Sequence, residues 1–180
     1  MKASENKKIR EMIRAALFTA LVFLATNLGI PNGMGGHANF GDVFVLLGGF
    51  LLGPVAGTLA GAVGSALADL VGGYMIYVPA TFLIKGLMAL TVSLAVRLIG
   101  NRSSVRLLSA IGAEAIMMIG YYLNSAVFIG FGWIAPLANI PGNAVQAFLG
   151  IFLSLLCERL FMKIPALNHE FGSGKEKKEP

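Results

Sequence analysis

Charge is what this sequence lacks. Only 13% of its 180 residues are Asp, Glu, Lys or Arg, whereas a soluble domain carries about a quarter. Residues 12–68 hold only Arg14 and Asp42, and residues 107–156 hold only Glu114. Such depletion, with a mean hydropathy of +0.76, excludes a soluble domain and points to a lipid-embedded bundle. Cysteine is nearly absent too. With Cys157 alone, no intrachain disulfide or cysteine metal cluster forms. Histidine is limited to His37 and His169, the second in a polar tail, so no metal cluster is expected. A G-K-[ST] phosphate loop is missing, so nothing in the chain binds ATP. His37, Ser65 and Asp69 make a protease triad only on paper, because Ser65 lacks the local motif of a nucleophile turn. Any uphill transport must draw on ions or on another subunit.

The charges that remain are informative by position. The net charge of +5 does not indicate nucleic acid, since the basic residues sit at the chain ends and in one loop. The N-terminus runs from basic to apolar like a signal peptide. Its apolar stretch is long and lacks a small-x-small cleavage site, so it reads as a retained first helix. Residues 12–29, 78–99, 105–130 and 139–161 are clear spans. The uncharged run 43–68, VFVLLGGFLLGPVAGTLAGAVGSALA, has 26 residues against about 20 for one crossing. Read as one helix it gives five spans and splits the basic residues between the two sides. Read as two it gives six, and 13 of the 14 basic residues fall on one side, Lys85 being the exception. The positive-inside rule selects the second reading. Gly53 suits the end of one helix and Pro54 the first turn of the next.

The expected fold is therefore an all-α membrane protein of six transmembrane helices with both termini cytoplasmic. Residues 1–11 form a cytoplasmic N-terminus, 12–163 one transmembrane domain, and 164–180 a polar, disordered tail. The second span, 39–53, is short and needs shielding by neighbours, thinned lipid, or continuation into an ordered outer loop. The third carries Gly57, Gly61 and Ser65, with Ala60, Gly64 and Ala68, at four-residue spacing. Such stripes let helices pack closely.

Polar residues inside the spans are the site candidates, because burying them in lipid is costly. Lys85 lies about 10 Å below the outer surface by helical rise, too deep to snorkel. Glu114 lies near mid-depth. The two are read either as an ion pair with each other or as ligand contacts. Asp42 and Asp69 lie near the outer ends of spans two and three, where each is read as interfacial, as a helix cap or as pocket lining, with stabilisation of a helix start favoured for Asp42. Asn39, Tyr77, Tyr121, Asn124 and Trp133 add polar and aromatic groups toward the outer side. Asn139, Asn143 and Gln146 share one helix face. Together they describe a pocket for a small polar, ring-bearing molecule. The glycine-rich loop IPNGMGGHANF suits a lid or a plain connector. A rival reading is a stand-alone secondary transporter or channel with Lys85 and Glu114 as an ion or proton relay, though inverted repeats are not evident.

The stretches FGDVFVLLGGFLLGPVAGTLAGAVGSALADL and YMIYVPATFLIKGLMAL, with six spans in about 180 residues, resemble the S components of energy-coupling factor (ECF) vitamin transporters, especially the riboflavin-transporter-like branch. The resemblance covers residues 10–163. It implies a six-helix bundle in the cell membrane that binds a vitamin or precursor at its outer side, with the first loop as gate. It also implies docking onto a membrane scaffold subunit with two ATPase subunits, through an alanine-xxx-alanine stripe that RAALFTAL supplies as Ala16 and Ala20. Neither an enzymatic role nor a cofactor is implied. Riboflavin or a pyridoxine-like compound fits better than a metal ion, whose transporters would show histidine near the N-terminus.

Overall fold

A computed structural model describes residues 2–31, 37–165, 167 and 171. Six α-helices account for most of it: α1 (Lys2–Asn27), α2 (Gly41–Leu52), α3 (Pro54–Val71), α4 (Val78–Leu98), α5 (Ser103–Leu123) and α6 (Ile140–Lys163). Between α1 and α2, strands β1 (Gly29–Pro31) and β2 (His37–Asn39) pair antiparallel, with Ile30 opposite Ala38. A π-helical turn (Asn124–Phe128) prolongs α5, and a 3-10 turn (Ala135–Asn139) leads into α6. Among the described residues, four helical stretches are long and apolar enough to cross a membrane, namely Pro54–Val71, Val78–Leu98, Ser103–Phe128 and Ala135–Lys163.

The break in the long apolar run falls at Gly53–Pro54, where it was expected. Gly53 has φ 81°, a left-handed conformation that glycine adopts without steric cost. Pro54 opens α3, where its missing N–H would have had no helical acceptor. The N–H of Gly57 then makes the first bond of the new helix, to Gly53 O at 2.9 Å. Two features differ from expectation. Helix α1 begins well before residue 12, because its Lys, Glu and Arg residues are good helix formers that need no membrane to stay helical. The strand pair β1–β2 has no period-2 pattern long enough to announce it.

Helix α2 is the central strut. It packs against α1, α3, α4 and α6, and Val45, Leu46 and Leu47 are fully buried. Its 12 residues span only about 18 Å, and the surrounding helices supply the shielding that so short an apolar helix requires. The small-residue stripe of α3 does the packing assigned to it. A Cβ on Gly64 would lie 2.6 Å from Thr19 O of α1, so only glycine permits this approach. The main core joins Val22 of α1, Val45 and Leu46 of α2, Met88 and Val92 of α4, and Ala113 and Met117 of α5.

The bundle reverses the polarity of a soluble protein. Large apolar side chains such as Leu108, Ile119, Phe148 and Phe152 face outward, while Asp42, Lys85, Glu114, Gln146 and Glu158 are buried. Lipid tails accept the first arrangement, and water would not.

Candidate substrate-binding site

At the end of the bundle where the β-hairpin lies, a cavity draws on nearly every element. Thr26 comes from α1, His37 and Asn39 from β2, Asp69 from α3, Thr81 and Lys85 from α4, and Tyr121 from α5. Tyr74 and Tyr77 reach it from the α3–α4 connection, whose turn is closed by the Tyr74 N–H bonding Asp69 O at 2.8 Å. Ser125 enters from the π-helical turn, Asn139 from the end of the 3-10 turn, and Asn143 and Gln146 from the start of α6. The amide face read from residue spacing on α6 thus points into the cavity.

Two polar chains hold the floor. In the first, Lys85 is 1% exposed and its ammonium pairs with Asp42 Oδ1. Asp42 Oδ2 accepts from Gln146 Nε2 at 2.5 Å, and Gln146 Oε1 accepts the backbone N–H of Asn39 at 2.8 Å. Asn39 Oδ1 in turn accepts the N–H of Gly41 at 2.9 Å. The network therefore joins α4, α2 and α6 through charge-assisted hydrogen bonds at Asp42, which are stronger than neutral ones, and ties them to the β-hairpin through the neutral Gln146–Asn39 bond. In the second, Thr81 Oγ1 donates to Asp69 Oδ2 at 2.5 Å, and the Tyr121 hydroxyl lies 3.0 Å from the same Thr81 oxygen. Because the Thr81 hydroxyl hydrogen is committed to Asp69, Tyr121 is the donor. The Lys85 ammonium also sits 5.4 Å from the Tyr121 ring centroid, within cation–π range. At the rim, the His37 and Tyr74 rings stack with centroids 4.6 Å apart.

The expected Lys85–Glu114 pair is corrected by this geometry. Lys85 bonds Asp42, and both Glu114 oxygens lack a hydrogen-bond partner among the described residues. The reason is the position of α2: its first turn brings Asp42 to the level of Lys85, between α4 and α6. Glu114 remains buried, but a direct two-residue relay through Lys85 has no bonded path. Asp42 does sit in the first turn of α2, yet its carboxylate is engaged by Lys85 and Gln146 rather than by the helix N-terminus. Asp42, 0% exposed, lies beneath the cavity, while Asp69, 5% exposed, lines it.

Other expected site residues separate. Asn39, Tyr77, Lys85, Tyr121, Asn139, Asn143 and Gln146 line the cavity together. Asn124 is buried beside it, and Ser125 takes the lining position instead. Trp133 stands outside, 61% exposed, with its carbonyl accepting the Tyr122 hydroxyl at 2.8 Å. Residues 32–36, the middle of the loop read as a lid, lie outside the described residues, as does most of the tail 164–180. Thr26, Thr81 and Ser125 were not anticipated. Thr81 precedes Lys85 by four residues and Ser125 follows Tyr121 by four, so helical spacing from the known candidates was the available signal. Among the described residues, no group of three or more His, Cys, Asp or Glu could hold a metal ion.

Space around Glu114 is tight. A Cβ built on Gly150 of α6 would meet Glu114 Oε1 at 2.6 Å and Asp42 Cβ at 3.1 Å. Gly150→Ala is expected to destabilise the bundle by about 1–3 kcal/mol through overpacking. With Glu114→Ala already present, the same change is expected to cost far less, a coupling that thermal melts of the four proteins in detergent would measure. Additive losses would contradict the contact.

The family model described as the S component of an ECF-type riboflavin transporter matches residues 6–159. An uncharacterised protein of Pyrococcus woesei is 35% identical over 118 residues, 66% of this chain and 77% of the relative. The thiamine precursor transporter HmpT of Lactococcus lactis subsp. cremoris is 25% identical over 171 residues, 93% of this chain and 97% of the relative. These matches indicate a transporter component and not an enzyme. The chain belongs to the family of S components of ECF-type riboflavin transporters.

Proposed function

We propose that this chain captures a small water-soluble vitamin or vitamin precursor at the outer face of the cell membrane and carries it inward as the substrate-specific subunit of an ATP-driven ECF transporter. The observation that carries this reading is the polar cavity at one end of a bundle whose exterior is apolar. In this reading α1 to α6 all cross the membrane, α2 doing so inside its neighbours, and both termini are cytoplasmic. The one-sided placement of 13 of the 14 basic residues supports that orientation.

Lys85, Tyr77, Tyr121, Asn139 and Asn143 are assigned to direct ligand contact. Asn39, Asp42 and Gln146 hold the floor, and Glu114 and Asn124 back it. Aromatic walls with neutral amides suit a ring bearing hydrogen-bonding groups. Riboflavin is suggested by the family description, a thiamine precursor by the Lactococcus relative, and a pyridoxine-like ring is compatible with the same groups. The chain has no phosphate-loop motif, so the energy is assigned to two ATPase subunits acting through a scaffold subunit. Ala16 and Ala20, both exposed on α1, are assigned to that scaffold.

Calorimetric titration of the purified chain with riboflavin, a thiamine precursor and pyridoxine tests the reading. Tight binding of one of them without ATP is expected, with uptake only when the partner subunits are added. Robust uptake by the chain alone, in liposomes under an ion gradient, would exclude it.

A further inference from the structure

A second cleft opens at the opposite end of the bundle, between the first turn of α5 and the last turns of α6. Glu158 is its buried feature, 2% exposed. One carboxylate oxygen, Oε2, accepts from Arg106 Nη1, and Arg106 is itself anchored by donating from Nε to Asn101 Oδ1 at 2.7 Å. The other oxygen, Oε1, is buried with no partner among the described residues. A buried carboxylate oxygen left unpaired is costly and calls for a donor.

Positive charge surrounds this acceptor. Arg159 lines the same cleft and acts electrostatically on the same carboxylate, so two guanidinium groups face one acid. Helix α5 starts here with no side-chain cap from Arg102, and its first helical bond runs from Arg106 N–H to Arg102 O at 3.1 Å. The N–H groups of Ser103 and Ser104, which line the cleft, have no acceptor within the helix. They add the positive end of the helix dipole. The cleft thus offers an anion seat beside an acceptor that needs a donor. Leu107 and Leu155 form its apolar side.

We propose that this cleft binds an aminophospholipid headgroup. The phosphate lies against Arg159 and the first turn of α5, and the terminal ammonium donates to Glu158 Oε1. The acyl chains follow Leu107 and Leu155 along the lipid-facing side of α5 and α6. A free phosphate satisfies only the anion seat and is opposed by Glu158. A choline headgroup has no N–H to donate. The site is separate from the cavity assigned to the vitamin and does not depend on that assignment.

Native mass spectrometry of the full chain tests the site, after reconstitution in nanodiscs of equal phosphatidylethanolamine and phosphatidylcholine with matched acyl chains. A retained phosphatidylethanolamine adduct is expected, at least about tenfold over phosphatidylcholine. Arg159→Gln, at an exposed position, is expected to lower it about tenfold. Leu107→Trp, which fills the cleft from its half-exposed wall without touching a charge, is expected to do the same. Persistence of the adduct against an equal concentration of soluble phosphoethanolamine supports a lipid occupant, and replacement by that compound overturns it. Equal retention of the two lipids, or unchanged adducts in both variants, overturns the site.

Discussion

Lys85→Met is expected to damage the protein twice, and a second substitution separates the two effects. Removing the ammonium leaves the Asp42 carboxylate, 0% exposed, as an unpaired buried charge. Losing one member of such a pair costs about 3–5 kcal/mol. Asp42→Asn added to Lys85→Met removes that charge, while the amide oxygen introduced there still accepts from Gln146 Nε2. The double variant is therefore expected to recover most of the lost thermal stability. Ligand affinity is not expected to recover, because the charged donor facing the cavity is gone, and a charge-assisted hydrogen bond is worth about ten- to a hundredfold in binding. Melting curves and calorimetry on the single and double variants read the two quantities independently. If the double variant regained both, Lys85 would be a structural partner of Asp42 and nothing more.

This experiment bears on the part of the site that sequence patterning reaches least well. The Gly53–Pro54 break was legible because its cause is local: one residue tolerates φ 81°, and the next has no N–H to lose. The face carrying Asn139, Asn143 and Gln146 was legible because helical spacing fixes which side chains share a side. The partner of Lys85 depends on which helices touch. Counting residues into each span puts Lys85 and Glu114 at compatible depths, but gives no sign that α2 stands between α4 and α6 and presents Asp42 first. The choice of Asn124 over Ser125 has a simpler origin: Asn124 is the more polar side chain, whereas Ser125, four residues after Tyr121, is the one that lines the cavity. Trp133 is a candidate by its aromatic type, which suits a membrane interface as well as a pocket, and it stands on the exposed side. Thr81 and Ser125 are a different case, since ordinary helical spacing from Lys85 and Tyr121 is enough to reach them.

The second large effect is expected on α1. Phe18, Val22 and Ala25 of this helix are buried against the bundle, while Met12, Ile13, Leu17 and Leu24 are exposed on the other side. Ala16 and Ala20 sit one turn apart in that exposed strip, and none of the six helices covers them. Small residues at this spacing let a second helix approach closely, gaining dispersion contacts that bulky side chains would forbid. Ala16→Trp with Ala20→Trp is therefore expected to abolish co-purification with a scaffold subunit and to reduce ATP-driven uptake to background. The substitutions add bulk on an exposed face of the isolated chain, so its melting temperature and vitamin affinity are expected to stay at parental values. Calorimetry on the isolated variant, beside pull-down and uptake with the assembled transporter, distinguishes the two functions. Parallel loss of vitamin binding and assembly would place these alanines in the folding of the bundle. Intact assembly would move the docking surface to another helix. Only selective loss of assembly assigns the strip to a partner.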